Sequence, residues 1–283
     1  MEHNTGAEPA RWLIVPVDDP DDAGRSIETA VELASRIDGG VRLLSVVDSE
    51  DTVPERSARL SDLAERITGL VTVVAVVAGS DIAGEIVAAT GPRDIVCMTT
   101  AASLLPHQGH FGSIAEDVVR RIDRPVVLLG PKADPSVSKG LNRVIVPMDG
   151  STHSEAAIKP AAALAGFLGL PMWIVTVVSD AAQREAAAQL GSEAVATESG
   201  YVRRLARDAA AKWDLDTQFE VLHISDPADA ILDFAKDDGL VVMSTHGKSG
   251  LARVFAGSVT TSVVARSAHP VVVLRPSAAT LAS

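Results

Sequence analysis

The chain has 283 residues, of which 47% are hydrophobic and 3% aromatic, and its formal net charge is −12. This apolar content excludes a disordered chain, and the length favours two domains. The negative charge disfavours binding to nucleic acid or to anionic membranes, because both repel an acidic surface. Cys97 is the single cysteine of the sequence, so no intrachain disulfide can form.

Sequence features that would direct the chain out of the cytoplasm are not found. Residues 1–12 contain neither the basic nor the apolar segment of a signal peptide. The longest apolar run, residues 70–78, is far shorter than the roughly 20 residues that span a bilayer. A lone thiol within an apolar run also suits a reducing compartment. We therefore expect a cytoplasmic protein.

Valine-rich segments alternate along the chain with segments of helical periodicity. The predicted strands of the first half are Trp12–Val17, Val41–Val47, Leu70–Val77, Asp94–Thr99 and Pro125–Leu129. Those of the second half are Arg143–Met148, Met172–Val178, Thr217–Ile224, Gly239–Ser244 and Pro270–Leu274. This alternation predicts right-handed βαβ units, and hence an α/β fold with two tandem five-stranded parallel sheets and helices on both faces. Pro160 falls in the first predicted helix of the second half and should kink or break it.

The two halves are copies of one another. "WLIVPVDDP" at residues 12–20 matches "VIVPMDGST" at residues 144–152, and residues 111–129 match residues 256–274. The equivalent pairs are Pro16 and Pro147, Asp18 and Asp149, Gly112 and Gly257, Ser113 and Ser258, and Pro125 and Pro270. We therefore predict domains at residues 9–131 and 141–276, with a linker at residues 130–140 that is rich in Pro, Ser, Gly and Lys. The second copy is longer, and its extra length is expected within residues 180–200.

Residues suited to an anionic ligand follow the predicted strands of the second half. Ligands of such sheets bind beyond the carboxyl ends of the strands, where the strand order reverses. Gly247 would let a ligand approach the backbone closely, and Gly257-Ser258 precede a predicted helix whose unpaired amides favour a phosphate. Lys248 and Arg253 could add charge-assisted contacts, and Asp149 could accept hydrogen bonds from ribose.

The same motifs have ordinary structural interpretations. Asp149-Gly150-Ser151 is also a common turn and helix cap, and Gly257-Ser258 is also a common helix start. His246 is interpreted as a residue that shapes its loop, because no partner for acid–base chemistry is evident. Only the joint placement of these motifs, at the ends of two strands of one unit, favours a ligand site.

One motif runs from Ser244 to Gly247 and continues, after nine residues, with Gly257-Ser258. It resembles the signature of the universal stress protein family, Gly-x2-Gly-x9-Gly-Ser/Thr. "VPMDGS" at residues 146–151 and "HPVVVL" at residues 269–274 also resemble that family, in its tandem two-domain form. The resemblance implies the fold of the adenine nucleotide alpha hydrolase-like proteins. It also implies a site for ATP, or for ADP, AMP or cyclic AMP, with or without Mg²⁺.

Specific roles follow from this resemblance. Asp149 and Val177 would line the adenosine, Gly247, Gly257, Ser258 and Val259 would hold the phosphates, and Gly250 would bend the loop between the motif glycines. The complete predicted site is Pro147, Asp149, Val177, Ser244, His246, Gly247, Lys248, Gly250, Gly257, Ser258 and Val259.

The sequence departs from the signature in both copies. Ser244 stands where the motif has its first glycine, and a serine Cβ forbids some backbone angles that glycine permits. In the first copy Ala102 replaces the second glycine, which leaves Asp18, Gly112 and Ser113 as a weaker or lost site. The first copy is then expected to pair with the second within the chain, through Pro125–Leu129 and Pro270–Leu274.

These features predict a stress-response protein that binds an adenine nucleotide mainly in its second domain and acts as a regulatory module. The resemblance also implies a homodimer and a protein partner that the sequence does not identify. Two alternatives remain open: a slow ATPase or adenylyl-transfer enzyme, and a scaffold without a ligand. No metal site is predicted, because His107 and His110 share a loop without further ligands.

Overall fold

The computed structural model describes residues 11–20, 23–100, 112–178, 193–224, 226–245 and 258–276. Its strands are β1 Trp12–Pro16, β2 Gly40–Val47, β3 Thr72–Ala78, β4 Ile95–Thr99, β5 Val126–Leu129, β6 Arg143–Met148, β7 Met172–Val177, β8 Thr217–Leu222, β9 Gly239–Ser244 and β10 Val271–Leu274. Its helices are α1 Gly24–Arg36, α2 Val53–Ala64, α3 Ile82–Ala88, α4 Ser113–Arg121, α5 Thr152–Glu155, α6 Ile158–Leu168, α7 Glu193–Trp213, α8 Pro227–Ala235 and α9 Ser258–Arg266. None of the helices in these ranges combines the length and the apolar character that a membrane crossing requires.

All ten strands belong to one sheet, in the order β3-β2-β1-β4-β5-β10-β9-β6-β7-β8. Within each half the strands are parallel, as predicted. The halves join through an antiparallel pair, β5 with β10, in which Val127 lies opposite Val272. We call this pair the seam. The prediction that the last strands of the two copies pair is confirmed, and the seam joins the two five-stranded parallel units into one continuous sheet.

Alternate strand residues pack against helices on opposite faces of the sheet, as the period of two in a strand requires. Leu13 and Val15 of β1 belong to the core covered by α1, α2, α6 and α7. Trp12 and Ile14 belong to the core covered by α3, α4, α8 and α9. Cys97 is fully buried, and burial raises the pKa of its thiol, which disfavours the reactive thiolate.

The helix that contains Pro160 is broken as predicted, but the break lies before the proline. Helix α5 ends at Glu155 and α6 begins at Ile158, so that Pro160 occupies the first turn of α6. A proline is tolerated there because its missing N–H would have no intrahelical acceptor. Helix α7 begins at Glu193, within the segment predicted to carry the extra length of the second copy.

The linker between the copies is held on the first half by arginines of α1. Arg36 donates hydrogen bonds to the carbonyls of Leu141 at 2.7 Å and Lys139 at 2.8 Å. Arg25 donates to the carbonyl of Gly130 at 2.9 Å. Residues Pro135–Gly140 form a short 3-10 helix. The linker is therefore an ordered connection that fixes the second half against α1.

Candidate functional site

A cavity of about 310 Å³ lies at the carboxyl ends of β6, β7 and β9, beside the start of α9. Strand β6 pairs with β7 on one side and with β9 on the other, so the cavity lies where the strand order reverses. We call it the second-half cavity. Its lining residues are Pro147, Met148, Asp149, Ser151, His153, Ser154, Val177, Pro227, Ile231, Met243, Ser244, Ser258, Val259 and Thr260.

The turn after β6 places Asp149 at the rim of this cavity. A carboxylate oxygen of Asp149 accepts hydrogen bonds from the backbone N–H of Ser151 at 3.0 Å and from its hydroxyl at 2.6 Å. The hydroxyl of Ser151 in turn caps α5 by accepting from the N–H of Ser154 at 3.1 Å. Gly150 has a φ of +81°, which a residue with a Cβ rarely adopts. The turn therefore fixes Asp149 in place on an exposed, hydrogen-bonded loop.

Ser244 connects β9 to α5 through its side chain. Its hydroxyl donates a hydrogen bond of 2.7 Å to the carbonyl of His153. Among the described residues, the non-glycine residues with positive φ are Asp38 and Asp214, so Ser244 has no need of the backbone freedom of glycine. The departure from glycine at this position therefore does not restrict the backbone that the structure shows. The hydroxyl instead fixes one wall of the cavity.

The start of α9 supplies the polar end of the cavity. The helix begins at Ser258, as predicted, and the first backbone N–H groups of a helix have no intrahelical acceptor. These groups carry partial positive charge and favour an anion. The hydroxyl of Thr260 lies 3.5 Å from the carbonyl of Ser244, which connects the first turn of α9 to the end of β9.

Helix α7 contacts α5 close to the same rim. The hydroxyl of Tyr201 donates a hydrogen bond of 2.7 Å to a carboxylate oxygen of Glu155. Burial raises the pKa of Tyr201, and Glu155 and Asp149 raise it further, because negative charge nearby disfavours the phenolate. Tyr201 therefore stays protonated and holds α7 against α5 close to Asp149.

The structure brings together the predicted residues that it describes in the second half. Those residues are Pro147, Asp149, Val177, Ser244, Ser258 and Val259. The other predicted residues, His246, Gly247, Lys248, Gly250 and Gly257, lie outside the described residues.

Sequence reasoning missed the apolar floor and part of the polar rim. Pro227 and Ile231 of α8 line the cavity, but periodicity alone does not tell which helix covers the reversal point. Met243 precedes Ser244 and was assigned only to the strand. Thr260 could have been found, because a hydroxyl in the first turn of a helix lies near any ligand of that helix terminus.

A corresponding cavity of about 420 Å³ exists in the first half. We call it the first-half cavity, and its lining includes the predicted residues Asp18, Gly112 and Ser113. Gly112 has a φ of +95° immediately before α4, so its backbone requires glycine. The guanidinium of Arg56 donates to the carbonyl of Asp18. The sequence departures of the first copy therefore leave a cavity in place, while the replaced loop, residues 101–111, lies outside the described residues.

The family profile and the curated relatives that match this chain name the same family. The profile of the Universal stress protein family matches residues 140–275. A universal stress protein of Methanocaldococcus jannaschii is 30% identical over 139 residues, which cover 47% of this chain and 81% of the relative. One from Synechocystis is 28% identical over 171 residues, covering 59% of this chain but only 53% of that relative's length.

Solved structures show the same fold over almost the whole chain. The crystal structure of a universal stress protein from Archaeoglobus fulgidus has a TM-score of 0.67 and 18% sequence identity. The match covers 94% of this chain and 98% of that one. At this identity the likeness concerns the fold, which includes both halves.

Proposed function

The chain belongs to the universal stress protein family, and from this premise we propose that its second half binds ATP or another adenine nucleotide as a regulatory ligand. One observation carries the proposal: residues from β6, β7, β9 and α9 that the sequence singled out separately line one cavity at the reversal point of the sheet. Adenosine would lie against Val177 and Asp149, and the phosphates would lie at the first turn of α9.

The chemistry of the cavity suits such a ligand. Its volume of about 310 Å³ lies at the lower end of the range for small-molecule sites. Apolar side chains of Met148, Ile231 and Met243 offer a surface for a purine ring. The amides of α9 offer partial positive charge to a phosphate in a protein whose net charge is −12. Binding would then act through the arrangement of α9 and the seam, because α9 immediately precedes β10 in the chain.

The first experiment identifies the ligand. Isothermal titration calorimetry with ATP, ADP, AMP and cyclic AMP, with and without Mg²⁺, should show binding of at least one nucleotide per chain. Mass spectrometry of small molecules released from freshly purified protein should find the same nucleotide. If no nucleotide produces heat and none copurifies, the proposal is rejected in favour of a scaffold. Incubation with ATP over hours distinguishes a regulatory ligand from the substrate of a slow ATPase.

The second experiment assigns the site. Ser258→Asp places a carboxylate at the first residue of α9, which should preserve the helix because acidic groups stabilise helix N-termini. The same carboxylate repels a phosphate, so we expect nucleotide affinity to fall at least about tenfold. Ser113→Asp makes the identical change at the start of α4 and serves as the matched control. It should leave the affinity of the second half unchanged, and the reverse outcome would assign the site to the first half.

A further inference from the structure

A third cavity, of about 310 Å³, lies over the seam, between α1 of the first half and α6 of the second. We call it the interface cavity. Its floor includes Val127 and Val272, which face each other across β5 and β10. Leu13 and Leu240 extend that floor, and Leu33 and Leu164 form opposite walls. The interior is therefore aliphatic and is built from both halves of the molecule.

The rim of the interface cavity is strongly basic. Arg11, Arg93 and Arg124 line it together with one carboxylate, that of Asp94. The backbone N–H groups of Trp12 and Gly91 occupy the two oxygens of Asp94, at 3.1 and 2.8 Å respectively. Three arginines and one carboxylate thus line the cavity, and the oxygens of that carboxylate already accept hydrogen bonds from the backbone. This local excess of positive charge lies in a protein whose net charge is −12.

The guanidinium groups keep hydrogen-bonding capacity for a ligand. Arg11 stacks on the exposed ring of Phe167, 3.4 Å from its centroid, and burial and the charge of Arg93 lower its pKa. Arg93 is exposed and forms no ion pair with any of the residues that the structure describes. Arg124 donates to the carbonyl of Thr90 at 3.1 Å. Its buried Nε has no hydrogen-bond acceptor within the described ranges of the chain. A guanidinium with unused donors is suited to a carboxylate.

The second half does not repeat this arrangement. By the internal repeat, the positions of Arg11, Arg93 and Arg124 correspond to Asn142, Asp238 and His269. In the second half two of these side chains bond to neighbours within the same half. Asp238 forms an ion pair of 2.6 Å with Arg143, and the Nε2 of His269 lies 2.9 Å from the carbonyl of Lys236. The basic rim is therefore a feature of the first copy alone and does not follow from the fold.

We propose that the interface cavity binds an amphiphilic monocarboxylate, such as a medium-chain fatty acid, with its aliphatic tail on the floor and its carboxylate at the arginine rim. The aliphatic interior offers no polar partner to a sugar or a purine, so the charge of the ligand belongs at one end. The three arginines and the one aspartate of the rim leave an excess of two positive charges, which favours an anion. This binding is independent of the nucleotide proposed for the second half. It would stabilise the contact between the halves, because the ligand touches both.

Calorimetry with sodium octanoate, 1-octanol and sodium acetate tests the proposal with wild-type protein. We expect octanoate to bind once per chain, octanol to bind about tenfold more weakly or less, and acetate not to bind. Equal affinity for octanol and octanoate would overturn the role of the arginines. No binding of octanoate would overturn the proposal as a whole.

Two variants and a matched control locate the site. Arg93→Gln removes an exposed charge at the rim and should weaken octanoate about tenfold. Arg207→Gln removes a distant exposed charge, whose ion pair is with the neighbouring Asp208, and should change nothing. Ala163→Trp fills the mouth of the cavity from an exposed position of α6, so the fold is kept while octanoate binding is lost. Unchanged binding by Ala163→Trp would overturn the site.

Light scattering tests whether the interface cavity is occupied by a second copy of the chain instead of a carboxylate. The molar mass should be the same for wild type and Ala163→Trp, and the same with and without octanoate. A mass that falls in the variant would show that the interface cavity receives another protein molecule, and it would overturn the proposal.

Discussion

The two halves of this protein share one backbone plan but differ at both ends of their strands. At the carboxyl ends both halves keep a cavity and a helix that starts at an equivalent serine, Ser113 or Ser258. At the amino ends the first half has an arginine rim, whereas the second half has internally bonded groups. The buried strands tolerate little change, because a packed core restricts it. The loops at each end of the strands can change independently of the core, so differences in function between the halves are expected there.

The largest expected effect tests what the halves share. Val273→Asp places a carboxylate at a fully buried position of the seam, opposite Val126. An unpaired buried charge costs about 3–5 kcal/mol. Urea unfolding should show this loss, and Val126→Asp should show a similar loss from the other side of the seam. Gln218→Asp, on an exposed position of the edge strand β8, is the control and should cost less than about 1 kcal/mol. A small effect of either seam variant would mean that the halves are stable without each other.

A smaller effect is expected at the helix starts. Gly112→Ala introduces a Cβ at a φ of +95° and a ψ of 144°, a conformation that is essentially restricted to glycine. We expect a loss of about 1.5 kcal/mol in the free energy of unfolding. Gly24→Ala, at the start of α1 with no atom within 4 Å of the added Cβ, should be neutral or slightly stabilising. If the two copies share the same backbone conformation at this position, Gly257→Ala should lower the free energy of unfolding as much as Gly112→Ala does. A neutral Gly257→Ala would show that the two copies differ there.

The smallest effect concerns the walls of the two cavities. Ser244→Ala removes the hydrogen bond to the carbonyl of His153 and should cost about 1 kcal/mol. Thr99→Val changes the equivalent residue of the first half, whose hydroxyl has no hydrogen-bond partner among the residues that the structure describes. That variant should be close to neutral in thermal unfolding. Nucleotide affinity should fall with Ser244→Ala and remain with Thr99→Val, whereas equal responses would show that the serine has no special role.

Much of this fold follows from the sequence, because the pattern that defines it is local and appears twice. Strand β6 has its predicted bounds, Arg143–Met148, since a run of buried valine and isoleucine between polar residues leaves little freedom. The equivalence of Pro16 and Pro147 predicted two units of the same topology, which the strand order confirms.

The parts that sequence reasoning missed depend on distant contacts. The arginine rim combines residues that precede β1, β4 and β5, and only the folded sheet brings them together. The contact of Arg11 with Phe167 crosses from one half to the other, which no local pattern indicates. Ser244 was noted only as a departure from the glycine of the signature, and the hydrogen bond of its side chain to α5 is visible only in three dimensions.

The antiparallel direction of β5 and β10 has a consequence for communication within the molecule. Because the chain direction reverses there, the carboxyl ends of the strands in the two halves point in opposite directions. The first-half cavity and the second-half cavity therefore lie at opposite ends of the strands, and ligands in the two do not compete for space. Thermodynamic linkage between them would therefore pass through the junction of the two halves, which includes the three residue pairs of β5 and β10 and the contacts of α1 with the linker. The coupling free energy between two bound molecules is then limited by how differently each of them stabilises that junction.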